Sequence, residues 1–382
     1  MNAPRRRRVV VVGGGIAALE AVLALHDVAG DRLSVTVIAP DDEFSLWPLA
    51  VASPFGLGPA GELRWTDVMA EHDGRFVQTA VTKVDPRRRA VLGQSGDEIP
   101  YDQLVLAPGT HAVPALPSSI TLDARRPSTV AAVAKALELG WSRAVAFVVP
   151  GGCTWPLPLY EFALLIADRV GERYGVALHV VTPEPTPLAV FGEEASAALL
   201  LQLEDRGIIF HGGVTTRLVD WHALEIGAPM PLRVDHIIAL PTMHGPGLAG
   251  IPADPDGFIP IDRWCRVTGL DGVWAAGDGT DQPIKQGGIA CQQADAIAAQ
   301  IAAGPNAGEP AESPDLVLRA RLLTGSSDLY LRHTVGSDDS EASFEPLWSP
   351  PAKVVGRHLV PYLERKGISD RGTAALPCGA RP

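Results

Sequence analysis

The sequence predicts an α/β protein made of two strand–turn–helix units and a C-terminal extension, and three observations carry that prediction. Four consecutive valines, Val9 to Val12, run into Gly13-x-Gly15-x-x-Ala18 and then an apolar stretch through Ala21, Val22, Leu23 and Leu25, the order of a buried strand, a tight turn and a helix. A second unit of the same kind starts in mid-chain, with a helix over Ser128 to Leu139 and a buried strand over Arg143 to Val149. Near the far end, Gly272 to Gly279 reads as a strand entering a glycine turn, and Gly287 to Ile301 as an Ala-rich helix.

The composition sets the outer bounds. A chain of 382 residues with 46% hydrophobic content can fill the cores of two ordinary domains. No apolar run approaches the roughly 18 uncharged residues of a membrane-spanning helix, and Arg5 to Arg8 lead straight into a strand without a signal-peptide core. The cytoplasm is the expected location. Net charge is −12, from 32 basic and 44 acidic residues, a field that repels nucleic acid and anionic lipid, so no nucleic-acid partner is expected. Cys153, Cys265, Cys291 and Cys378 are scattered without metal-ligand spacing, so neither a metal nor a disulfide framework is expected.

Each element of the first unit has a chemical reading. Gly13 permits the tight turn and Gly15 lets a pyrophosphate approach the backbone. Ala18 lets helix and strand pack closely, and the helix N-terminus offers N–H donors and positive dipole. The turn is therefore a dinucleotide site. Leu33 to Ile38 forms a second strand, but where a ribose-binding acid normally follows the chain has Ala39-Pro40. Asp41 and Asp42 are the nearest acids, serving the ribose from the loop or only capping it. Phe44 to Gly58 is apolar and aromatic yet broken by Pro48, Pro54 and Gly56; with Trp47 it suits a loop lying over a flat ring, or an ordinary core loop. Arg75 to Val84, Arg89 to Leu92 and Tyr101 to Thr110 read as short strands, the last ending in Ala107-Pro108-Gly109.

Gly13 to Ala18, Ala107 to Gly109 and Ala276-Gly277-Asp278 together resemble the three ordered motifs of the FAD-dependent pyridine nucleotide-disulfide oxidoreductase superfamily, with Pro108 replacing the usual Thr. The resemblance covers about residues 8 to 305. It implies two Rossmann-like dinucleotide-binding domains of the FAD/NAD(P)-binding fold. The FAD-binding domain would comprise residues 1–112 and 263–304, the second, NAD(P)-like domain 113–262, and the extension 305–382. It implies bound FAD, with Gly13, Gly14 and Gly15 on the diphosphate and Asp278 on the ribityl or pyrophosphate region. The helix end at Gly287 and Gly288, with Lys285, would lie at the flavin's pyrimidine edge, where dipole and charge stabilise the reduced ring; Lys285 otherwise reads as a solvated loop lysine.

The branch is set by what surrounds these motifs. Disulfide reductases of the superfamily need two neighbouring cysteines soon after the second strand, whereas this chain has Trp47-Pro48-Leu49 there and no cysteine before Cys153. The layout is similar to type II NADH:quinone dehydrogenases and sulfide:quinone oxidoreductases. In the second unit the expected glycine fingerprint is replaced by Pro150-Gly-Gly-Cys-Thr-Trp-Pro-Leu-Pro-Leu-Tyr-Glu161, in which Trp155, Pro156 and Pro158 narrow the approach of a pyrophosphate. Cys153 is a redox residue or a small loop residue. By analogy Glu161 pairs with Lys285 as an acid–base or electrostatic pair, or is a first-turn acid on the helix dipole. Glu184 stands where an acid would hold an NAD ribose.

Beyond Gly304, residues 305–314 read as a linker and Leu316 to Leu323 as a strand or helix. Lys353 to Leu363 reads as a poor helix that packs over the flavin, forms a dimer contact, or lies on a membrane surface through Lys353, Arg357 and His358. The expected function is an FAD-dependent oxidoreductase passing electrons from a small-molecule donor, NAD(P)H first, to a quinone-like or small acceptor. A sulfide-type donor is the enzyme alternative, and a redox-sensing flavoprotein without turnover is the alternative of another class. Homodimerisation and peripheral contact with the inner face of the membrane are further expectations.

Overall fold

The computed structural model describes residues 5–50, 52–55, 61–123, 127–171, 175–304 and 315–368. In chain order the first unit supplies β1 (Arg7–Val12), α1 (Ile16–Ala29), β2 (Leu33–Ala39), β3 (Arg75–Gln78) and β4 (Gln103–Leu106). The second follows with β5 (Ile120–Thr121), α2 (Pro127–Glu138), β6 (Ala144–Val148), α3 (Leu157–Val170), β7 (Ala177–Val181), β8 (Ile208–His211) and β9 (His236–Ala239). Then come β10 (Val273–Ala275), α4 (Gly287–Ala303), β11 (Val317–Leu322), β12 (Leu329–Thr334), β13 (Ser340–Ser343) and α5 (Leu359–Arg365).

The first sheet has the order β10-β4-β1-β2-β3, and every neighbouring pair is parallel. Its central strand explains the valine run. Val9 and Val11 face the helices with Ala18, Leu19 and Ala294, while Val10 and Val12 face Val84, Val91 and Ile99. A parallel strand covered on both faces needs apolar residues without alternation. The covering layer comes from a meander of Val81–Asp85, Ala90–Gly93 and Glu98–Pro100. The stretch Arg75 to Val84 is thus two strands rather than one: β3 joins the parallel sheet and Val81–Asp85 leaves it for the meander.

The second sheet, β5-β9-β6-β7-β8, is also parallel throughout. Helix α2 falls where apolar periodicity places it, and α2 and α3 together pack Val130, Leu137, Phe162 and Ile166 on Val145 and Phe147. This is the predicted α/β architecture with two Rossmann-type parallel sheets.

The extension is an antiparallel sheet, β11-β12-β13, and α5. It touches both units. Leu318, Leu322, Leu329 and Leu331 join the second core, whereas Leu359, Tyr362 and Leu363 join the first. Gln292 of α4 holds β11 by donating to Val317 O and accepting from Val317 N, both at 2.9 Å. The poor helix expected around Pro361 is a short one: Pro361 sits in the first turn of α5, where a missing N–H leaves no bond unmade. Lys353, Val354 and Leu359 point inward, and Arg357 stays exposed. The expected linker 305–314 and part of the Phe44 to Gly58 loop lie outside the described residues.

Candidate functional site

The carboxyl ends of β1, β4 and β10 converge on a glycine cradle. Gly13 has φ +127°, and a Cβ there would stand 1.9 Å from Ala107 O, so only glycine lets β1 pass β4. Its N–H donates to Ile38 O at 2.9 Å. Gly14 O accepts from Trp65 Nε1 at 3.2 Å, fixing the turn from outside. Gly15 faces open space, whereas Ala18 is fully buried between helix and sheet. On the β10 side, Gly277 donates to Gln293 Oε1 at 2.7 Å. Gly279 lies so near Gly109 that an added Cβ would come 2.8 Å from Gly109 O, and Gly109 itself opens outward with φ +71°.

Asp278 lies on this edge, half-buried, and among the described residues no protein hydrogen-bond donor reaches its carboxylate. Burial pushes its carboxyl up, and Lys285 pulls it back down. Nearby, Gln286 caps α4 by accepting from Ile289 N at 2.7 Å while its Nε2 donates to Arg319 O at 2.9 Å. The amides of Gly287 and Gly288 begin the first turn, where helices have no internal acceptor for them. Open glycine faces, a carboxylate without a donor and a helix N-terminus on one sheet edge fit a dinucleotide cofactor.

Other expectations fare differently. Lys285 does not meet Glu161. Its Nζ donates to Thr280 O at 2.6 Å and Gln282 O at 2.8 Å, and lies 3.8 Å over the Phe258 ring. Burial lowers its basicity, with Asp278 opposing. Glu161 is fully buried on α3 and pairs instead with Lys353 of the extension; its Oε1 also accepts from Leu323 N at 2.9 Å, and its Oε2 has no hydrogen-bond partner among the described residues. Burial raises the Glu161 carboxyl, against the pull of Lys353. The expected pairing of Glu161 with Lys285 is therefore not formed, and the cation beside Glu161 is Lys353. A separation of 192 residues hides the pair from any local pattern.

Asp42 is occupied by structure: it accepts from Thr66 N at 2.8 Å and Arg64 Nε at 2.9 Å, at the start of the helix Trp65–Glu71. Asp41 is exposed. Trp47 is exposed and Pro48 half-buried at the start of the short helix Trp47–Ala50.

In the second unit, Glu184 spends both carboxylate oxygens internally. Oε2 accepts from Tyr160 OH at 2.7 Å and Thr182 Oγ1 at 3.3 Å, and Oε1 from Ala189 N at 3.2 Å. Trp155 packs on Phe191, ring centroids 5.7 Å apart. Gly151 and Gly152 face open space. The Cys153 thiol is pushed up to about 11 by burial, which keeps it protonated at neutral pH.

Comparison with known proteins decides the family. The profile of the family "Pyridine nucleotide-disulphide oxidoreductase" matches residues 7–294, most of the chain. The chain belongs to this family. Members of this family are flavin-dependent oxidoreductases that bind FAD. Among curated relatives, a sulfide-quinone reductase of Aquifex aeolicus is 26% identical over 230 residues, covering 57% of this chain and 50% of that protein. The chain thus spans about half of that relative's length. An NADH dehydrogenase-like protein of Mycobacterium tuberculosis is 26% identical over 289 residues, covering 71% of this chain and 72% of the other. The crystal structure of sulfide:quinone oxidoreductase from Aquifex aeolicus superposes with a TM-score of 0.79 at 20% identity, covering 88% of this chain and 86% of that one.

The sequence reading began α4 near Gln286 but missed its cap, gave Lys353 a surface role rather than the pairing with Glu161, and missed Gln292, Gln293 and Trp65. Gln286, just before the glycines of α4, carried a capping signal; the others act across the fold and carry none.

Proposed function

We propose that this oxidoreductase takes two electrons from a small reductant that is not a nucleotide and delivers them to a quinone-like acceptor. FAD, when bound, supplies the redox chemistry. In this reading Gly13, Gly14, Gly15 and Ala18 form the diphosphate turn and Asp278 accepts hydrogen bonds from the cofactor. Ala107 and Gly109 border it, Gly287 and Gly288 turn their amides toward its pyrimidine edge, and Trp47 and Pro48 lie over the ring. Lys285 stands beside Asp278 and sets the charge of that end. Glu161 with Lys353 is the buried acid–base pair, and its orphaned Oε2 is the atom free to hold or pass a proton. Cys153 receives no redox step, because its thiol stays protonated.

The carrying observation is Glu184. Its carboxylate is consumed by Tyr160, Thr182 and Ala189, so the group that would select an NAD ribose is already a brace within the unit. NAD(P)H as donor is the second reading, and the open faces of Gly151 and Gly152 favour it. Anaerobic mixing of the FAD-loaded protein with sulfide, NADH and NADPH separates the two. Bleaching by sulfide alone supports the proposal; bleaching within seconds by either nucleotide sinks it. No helix of the described residues is long and apolar enough to cross a membrane. Peripheral contact would rest on the exposed Arg357 and Arg365, which co-sedimentation with anionic vesicles tests.

A further inference from the structure

The antiparallel sheet of the extension buries one face and lines the other with arginines. Leu318, Ala320 and Leu322 of β11 and Leu329 and Leu331 of β12 enter the second core. Strand alternation therefore turns Arg319, Arg321, Tyr330 and Arg332 to the opposite face. The register sets Arg319 directly across from Arg332, and Arg321 across from Tyr330. Trp348 packs edge-on against Tyr330 on this face, ring centroids 5.2 Å apart.

These arginines are not equivalent. Arg321 is buried and matched: its Nε donates to Asp328 Oδ2 at 2.7 Å and its Nη1 to Pro351 O at 3.1 Å. Arg332 spends Nη1 on Asp339 Oδ2 at 2.9 Å, with Glu341 at 4.0 Å. Arg319 is half-buried, and among the described residues its guanidinium meets neither a carboxylate nor a hydrogen-bond acceptor. Burial, and then Arg332, lower its basicity, and no acid opposes them. Like charges directly opposite on a ladder weaken it, so this pair costs the sheet stability for as long as no anion joins it.

The backbone at Arg319 is tied to the cofactor edge. Its carbonyl accepts from Gln286 Nε2 at 2.9 Å, and Gln286 Oε1 caps α4 through Ile289 N at 2.7 Å. A charge settled on Arg319 thus sits one hydrogen bond from the cap of the helix that begins with Gly287 and Gly288.

We propose that Arg319, with Arg332 across the ladder, is a binding site for an oxyanion of the phosphate class. Residues directly opposite on one face have Cβ atoms about 5 Å apart, within reach of one small ligand. A guanidinium fork matches two oxygens of such an anion. A planar carboxylate is filled by one fork, whereas a tetrahedral anion keeps oxygens for the donors that Arg332 does not spend on Asp339. The phosphate is either free or carried by a lipid head group.

Isothermal titration of the FAD-loaded protein with inorganic phosphate tests this, the cofactor keeping the glycine turn filled. One site per chain is expected, with a Kd raised about tenfold or more in Arg319→Gln. Heat denaturation should show phosphate stabilising the wild type by more than the variant. Vesicles of phosphatidylcholine with and without phosphatidic acid separate the sources. Co-sedimentation with the acidic vesicles that Arg319→Gln abolishes assigns the site to a lipid head group; phosphate binding without co-sedimentation assigns it to a free oxyanion. A wild type that binds neither phosphate nor acidic vesicles overturns the site, as does binding that Arg319→Gln leaves unchanged. If Arg319→Gln fails to fold, Arg319→Met, which keeps the apolar stem, is read by the same criterion.

Discussion

Replacing Lys353 by Met tests the buried pair at its most exposed energetic point. Among the described residues Glu161 has one backbone donor at 2.9 Å, one ammonium partner and an Oε2 without a hydrogen-bond partner, and it has no solvent contact. Taking away the ammonium leaves a buried carboxylate with a single N–H, and removing one partner of such a pair costs about 3–5 kcal/mol. Equilibrium denaturation of the FAD-loaded Lys353→Met variant at neutral pH should show a loss of that size. The loss should depend on pH in a definite direction. Without its cation the Glu161 carboxyl is raised further, so the folded variant takes up a proton as pH falls, and the deficit should shrink between about pH 7 and 5. Combining Glu161→Gln with Lys353→Met removes both charges and should recover most of the stability. A deficit below about 1 kcal/mol, or one constant across pH, would show that the pair is not ionised and would refute the reasoning. Reduction kinetics then separate stability from chemistry: Glu161→Gln should slow flavin reduction while FAD remains bound, and unchanged kinetics would confine the pair to holding the extension.

The remaining predictions concern single groups. Gly13→Ala places a Cβ 1.9 Å from Ala107 O at a positive φ, so the variant should purify without flavin absorbance or fail to fold; a normal FAD content would contradict the cradle. Asp278→Asn should keep the fold and weaken FAD binding by about 1.5–3 kcal/mol, the worth of hydrogen bonds to a charged acceptor, as measured by titration of the apoprotein. Cys153, with its thiol near 11, should react with iodoacetamide at about pH 8 roughly a thousandfold more slowly than a full thiolate, and Cys153→Ser should reduce at the wild-type rate. Glu184→Gln should cost about 1–2 kcal/mol of stability through the loss of charged bonds to Tyr160 and Ala189. If it instead changes the apparent affinity for NADH and leaves stability intact, Glu184 is a nucleotide ligand.

What could be read from the sequence was what local backbone geometry dictates. Gly13 needs a positive φ and a close neighbour, and Val9 to Val12 need two covered faces, so strand, turn and helix followed from a dozen residues. The second unit was legible for the same reason, as α2 and β6 fall on the predicted stretches. Boundaries inside apolar runs were not: Arg75 to Val84 has no marker at Thr79-Ala80, yet there the chain leaves one sheet for another. The site split along the same line. Glycines and Asp278 sit in short motifs, whereas the partner of Glu161 depends on how the extension crosses α3, a contact set by packing. Lys285 looked available because a lone lysine near a glycine turn carries no sign of the two carbonyls and the aromatic ring that hold it. Pro361 argued against a helix, and a first-turn position cancels that argument.

The place of β10 in the first sheet has a consequence for synthesis. This strand pairs with β4, joining Val273 to Leu104, Trp274 to Val105 and Ala275 to Leu106. It reaches the sheet only after the whole second unit has been translated. At about 5–20 residues per second, the time from β4 to β10 on the ribosome is on the order of ten to thirty seconds. Through that interval β4 presents an unpaired apolar edge, the kind of edge that invites pairing with another chain. The nascent protein should therefore be most vulnerable to aggregation while its second half is being made. Cofactor loading belongs after that interval, because Asp278 and the first turn of α4 emerge only once β10 has been made.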